Sequence, residues 1–87
     1  LVKIGGIVET SRKIVTRKTN SEMAFISLGD EKGITIECII FPRVFEQYKQ
    51  FLITDSVIVI EGKVDLKDER PIIIVDRIYE AKSFAPN

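Results

Sequence analysis

Apolar residues in this sequence gather in short strand-length segments, and their spacing changes once, to the period of a helix. That pattern limits the fold more than anything else in the chain. A strand sends alternate side chains to opposite faces, so each alternating segment has one face to bury and must share a core with the others. The helical stretch starts at Pro42, from which Val44, Phe45, Tyr48, Phe51 and Leu52 recur at helical spacing. Eighty-seven residues enclose one such core and no more; a chain this short buries about 60–65% of its unfolded surface.

The segments can be placed in order. The first strand opens at Val2, carries the Gly5-Gly6 pair and runs on through Ile14 and Val15. Glycine inside a strand marks a bulge or sharp bend, which a closing sheet requires. Residues Thr16 to Ser21 form a polar loop. Strand two is Met23 to Leu28, Gly29 to Gly33 is a tight connection, and strand three is Ile34 to Phe41. Pro42 suits the first helical turn, where its missing N–H costs nothing. The helix should last about three turns and end at Thr54-Asp55-Ser56. Strand four is Val57 to Val64 with Gly62 inside it, Asp65 to Arg70 a charged turn, and strand five Ile72 to Ile78 after Pro71. The expected domain is 1–80, with 81–87 a frayed tail.

Composition removes several kinds of chemistry. Histidine is absent, which excludes the Ser-His-Asp arrangement and most zinc sites. Cys38 is the single cysteine, so no internal disulfide forms; among isoleucines it reads as an inert core residue. The acidic pairs Asp30-Glu31 and Asp68-Glu69 sit in turns, where adjacent side chains point apart, so they read as solvated rather than metal-binding. No Gly-rich phosphate loop is present, and no cofactor is expected. The longest uncharged apolar block, Ile72 to Val75, falls far short of the roughly 20 residues of a membrane span. The chain begins at Leu1 directly in strand-like sequence, as a piece of a longer cytoplasmic protein would.

Strand, strand, strand, helix, strand, strand is the order of the OB-fold. The expected class is therefore all-β, a five-stranded Greek-key barrel with one short helix between strands three and four, whose ligand face is strands two and three with the loops after strands one and four. Particular residues carry a closer likeness. Met23 to Leu28, Gly33 and Ile36 to Pro42 resemble the nucleic-acid-binding OB family that includes anticodon-binding domains. Val2 to Val8, Phe41 to Tyr48, Asp55 to Val64, Arg70-Pro71 and Asp76 to Ile78 extend the likeness to the OB domain of bacterial DNA polymerase III alpha subunits. The resemblance implies a monomeric, non-catalytic module that receives single-stranded template DNA, with the nucleotidyl-transfer carboxylates in a separate palm domain. Two other roles stay open: an anticodon-binding module of a class II synthetase, or a barrel that contacts other replisome subunits.

Thirteen basic residues balance thirteen acidic ones, so any attraction for phosphate must come from placement. Lys3, Arg12, Lys13, Arg17 and Lys18 fall in the first twenty residues with only Glu9 opposing them. Arg12, Lys13, Arg17 and Lys18 are candidates to grip a sugar-phosphate chain, or else belong to a solvated strand end. Alternation sets Ala24, Ile26 and Leu28 against Met23, Phe25 and Ser27. The first set suits the core. Aromatic residues are often buried, but the resemblance places Phe25 on the open face as a stacking platform, with Ser27 beside it. On strand three, Glu37 shares that face and would repel phosphate. Lys63, Lys67 and Arg70, at or near the loop after strand four, are secondary candidates because Asp65, Asp68 and Glu69 accompany them. Arg43 reads as a surface charge at the rim.

Overall fold

A computed structural model describes residues 1–80, so the tail expected at 81–87 lies outside the described residues. Five strands form the barrel: β1 (Val2–Val15), β2 (Glu22–Gly29), β3 (Thr35–Ile40), β4 (Val57–Lys67) and β5 (Arg70–Glu80). One helix, α1 (Pro42–Tyr48), lies between β3 and β4. The strands close in the order β1-β2-β3-β5-β4. All neighbours are antiparallel except β3 and β5, which run parallel through Glu37–Ile72, Cys38–Ile73 and Ile39–Ile74. This is the expected Greek-key OB barrel with its single helix.

Closure depends on β1 serving two neighbours. Residues 2–7 pair with β4, and residues 7–15 pair with β2. The register with β2 breaks between Val8 and Thr10, leaving Glu9 as the extra residue of a bulge. The bend thus falls at Glu9 and not at the glycine pair, where the sequence reading put it. Gly6 instead permits close approach, since a Cβ there would lie 2.6 Å from the Gly29 carbonyl oxygen. Gly62 does the same on β4: a side chain would collide with the Ile74 carbonyl, opposite the point where Asp76 is the extra residue of β5.

The inward positions of every strand meet in one core. Val8, Ile26, Cys38, Ile60 and Ile73 are each at most 2% exposed. Phe45 and Leu52 cap this core from the helical segment, with Val44, Tyr48 and Phe51 packed partly against it. The helix has no side-chain N-cap and no acidic residue in its first turn. Its stability comes from that apolar face and from Pro42, whose fixed φ starts the first turn. It is shorter than the three α-turns expected. After Tyr48 the chain tightens into a 3-10 turn, Lys49–Phe51, which brings Leu52 into the core before the reversal at Asp55. Asp55 and Ser56 bond back to Val8 at 2.8 and 2.9 Å, tying the reversal to the barrel.

β4 and β5 extend as a hairpin past the end of the β1 pairing. Their register holds to Lys67–Arg70. The expected six-residue charged turn is therefore only Asp68-Glu69, both in the left-handed region (φ 53° and 66°) as a type I′ connection requires.

Candidate nucleic-acid interface

Directly paired residues in a sheet project to the same side, so the register defines rows across the outer face. Arg12 pairs with Phe25, Phe25 with Ile39, Ile39 with Ile74, and Ile74 with Lys63. This row crosses all five strands, about 19 Å along the curved surface at the usual strand spacing. Its middle is apolar and half-buried, and a cation stands at each end. A neighbouring row runs Thr10, Ser27, Glu37, Ile72 and Asp65. Phe25 is outside the core cluster, while Ala24, Ile26 and Leu28 are within 2% of full burial. Period two separated these sets correctly.

Arg12 reaches over its partner, with the guanidinium carbon 6.0 Å from the Phe25 ring centroid. That is the outer limit of a cation–π contact, so Arg12 can trade the ring for a phosphate at small cost. A groove of about 480 Å³ lies here, lined by Thr10, Arg12, Phe25, Ser27, Glu37 and Lys67. Lys67 comes from the end of β4, in the β4–β5 hairpin. A second groove joins Glu37 to Lys67 and Arg70. Glu37 therefore stands where both grooves meet and keeps the centre of the face from being uniformly positive.

The basic start of the chain is divided among separate places. Lys3 lies over the Tyr79 ring at 5.3 Å, near the β1–β4 seam. Lys13 shares the side of Ala24, opposite Arg12, and its Nζ is 2.9 Å from Glu22 Oε2. That contact, with its hydrogen bond first and its charge second, holds the Glu22 carboxyl below its ordinary pKa. Arg17 and Lys18 project from the β1–β2 loop. Thr16 organises this loop, its N–H donating to the Ser21 carbonyl at 2.8 Å and its Oγ1 accepting from the Ser21 N–H at 3.2 Å. The loop begins about 13 Å along the strand from Arg12. Among the described residues Arg12, Arg17, Lys18, Lys63, Lys67 and Arg70 form no ion pair. The structure thus brings Arg12, Phe25 and Ser27 to one groove with Lys67, places Lys63 and Arg70 on the β4–β5 hairpin and Arg17 and Lys18 in the β1–β2 loop, and sets Lys13 on the opposite side from Arg12.

Other polar groups have local structural work. Asp30 Oδ1 accepts from the N–H groups of Lys32 and Ile34 at 2.9 and 3.0 Å, closing the β2–β3 loop. Cys38 is fully buried, and loss of solvent pushes its thiol up to about 12. Among the described residues no three His, Cys, Asp or Glu side chains converge in a way that would hold a metal. No helix there is long and apolar enough to cross a membrane.

Comparison with known proteins agrees with the fold. Residues 2–81 match the profile of a family described as OB-fold nucleic acid binding domain. The chain is similar to the DNA polymerase III subunit alpha of Aquifex aeolicus, 34% identical over 80 residues and 90% of this chain. It is 30% identical over 78 residues to that of Borreliella burgdorferi, again across 90% of this chain. With that of Staphylococcus aureus strain MRSA252 it shares 32% over 73 residues, 83% of this chain. In each case the matched part is 7% of the relative's own length.

Proposed function

The chain belongs to the family of OB-fold nucleic acid binding domains, and from that premise we propose that it holds single-stranded DNA as a module of a polymerase III alpha-type polypeptide. In that role it binds and guides an unpaired template and carries out no nucleotidyl transfer itself. The observation that supports this reading is the Arg12–Phe25–Ile39–Ile74–Lys63 row. An aromatic ring on an apolar strip stacks any base, because every base has a π face. Cations at the two ends of the strip, with Lys67 in the groove and Arg17 and Lys18 beyond it, suit the phosphates of a strand lying across it. Nothing in the row is arranged to read one base edge by paired hydrogen bonds, so sequence preference should be slight.

The test is a titration of the 87-residue chain with a labelled single-stranded oligonucleotide at several salt concentrations. Each phosphate neutralised adds about −0.7 to the slope of log K against log salt. Arg12→Ala should lower the magnitude of the slope by about that amount, and Phe25→Ala should weaken binding by roughly 1–3 kcal/mol without changing the slope. Silence at low salt would remove the proposal. Clear preference for RNA of the same sequence would move the assignment toward an RNA-binding member of the family.

A further inference from the structure

The geometry points to Phe41 as a second base platform, so that this face receives two adjacent, mutually unstacked nucleotides, one on Phe25 and one on Phe41. The inference rests on the reading above and extends its site.

Phe41 follows Glu37 and Ile39 at period two, so it stands on the same outer side of the sheet. It lies just past the end of β3, yet its backbone stays extended (φ −71°, ψ 162°). Pro42 enforces this, because the residue before a proline is driven out of the helical region. The ring is therefore held at the sheet surface by the same proline that starts α1. It is 44% exposed and takes no part in the core cluster. An aromatic ring left this open forfeits the burial that justifies aromatic residues elsewhere in a small core.

Its surroundings suit a nucleotide. A groove of about 600 Å³ beside Phe41 includes Arg43, Tyr48, Ile74 and Arg77, with Asp76 as its carboxylate. Ile74 belongs to the Phe25 row, so the two apolar spots are continuous. Arg43 also lines the adjoining groove with Asn20 and Ser21, in the loop that carries Arg17 and Lys18. Positive charge thus continues from Phe41 toward that loop.

Spacing decides what can bind. Ile39 is the direct partner of Phe25, and Phe41 is two positions further along β3. Diagonal neighbours of this kind are about 7–8 Å apart. Bases that stay stacked on one another rise only about 3.4 Å each. Two adjacent bases can cover both rings only by leaving their mutual stack. A duplex cannot do this without melting, so the paired platforms select an unpaired strand.

The measurement is fluorescence anisotropy of the 87-residue chain with a labelled oligo-dT strand. Photochemistry on the same chain with oligonucleotides carrying 5-iodouracil accompanies it. Phe41→Ala should weaken binding about 5- to 150-fold, comparably to Phe25→Ala, while Phe41→Tyr stays within about twofold of the parent. A strand with one abasic position should bind more weakly, and Phe41→Ala should cost less with that strand than with the intact one. Photoadducts on the unaltered chain should map to both Phe25 and Phe41. Should Phe25→Ala weaken binding while Phe41→Ala does not, or should adducts map to Phe25 alone, the second platform is overturned and the single-strand reading stands. Absence of any binding by the unaltered chain overturns both. If Phe41→Ala does not fold, the adduct map on the unaltered chain decides.

Discussion

Cys38 is completely enclosed on β3, its thiol donating to the Ile36 carbonyl at 3.8 Å. Burial raises its pKa from 9.0 to about 12. At pH 8 the thiolate fraction is then about a thousandfold lower than in the open chain, and the thiolate is the reactive form. Alkylation by iodoacetamide should accordingly proceed only through unfolding. The sign for stability follows from proton counting. Below pH 9 both states keep the proton and nothing changes. Above it the unfolded chain ionises first, so stability falls by up to about 1.4 kcal/mol per pH unit as the pH climbs toward 12. The stability gap between the parent and Cys38→Ala, from urea midpoints at pH 8 and 10.5, should narrow at the higher pH; an unchanged gap contradicts the burial argument. Alternation made this residue legible, as it did the division between Phe25 and its inward neighbours. The same rule applied to Arg12 and Lys13 sends them to opposite sides, and a count of nearby charges conceals that. Alternation likewise sets Phe41 on the outer side with Glu37 and Ile39, but it does not reveal that this ring stays 44% exposed.

At the scale of elements, the strand segments were readable wherever one face meets the core, and least readable where the hairpin leaves it. Val64 and Leu66 keep the alternation of β4 but are 51% and 69% exposed, and the charges around them imitate a loop. The connection also lacks the Asn-Gly or Asp-Gly signal of a two-residue turn. Asp68 tolerates its left-handed backbone, whereas Glu69, at φ 66°, gains nothing local to offset the strain. Glu69→Gly should stabilise the chain by roughly 0.5–1 kcal/mol after allowing for the added freedom of the unfolded state. Glu69→Val should destabilise it, since a β-branched residue is an outlier there. Urea midpoints of the two variants must move in opposite directions; a shared direction would mean that the turn relaxes to another type. The helix shows a related limit. Its apolar period continues through Phe51 and Leu52, but side-chain spacing cannot distinguish a last α-turn from the tighter 3-10 turn that delivers Leu52 to the barrel.

For the whole molecule, the order of strands and the single helix were enough to fix topology, because few barrels accept one helix between the third and fourth of five strands. The interface was less legible, since it depends on which residues become partners across four separate strand contacts. Ile39 is the direct partner of Phe25, but Ile74 and Lys63 join them only through β5, which pairs with β3 in parallel and with β4 in antiparallel. With thirteen charges of each sign, the molecule has no net field to draw a polyanion, so affinity must follow position. Charge reversals separate the two possibilities, because Arg12→Glu, Lys63→Glu and Lys13→Glu each change the net charge by the same amount. The first two place a carboxylate at an end of the apolar row, and each should lower single-stranded DNA affinity about tenfold at low salt and reduce the salt slope by about 0.7. The third alters the opposite side, where Lys13 already faces Glu22, and should change affinity by less than about twofold after correction for salt. Three equal losses would mean that the strand is held by diffuse charge, leaving the row across the five strands with no part in recognition.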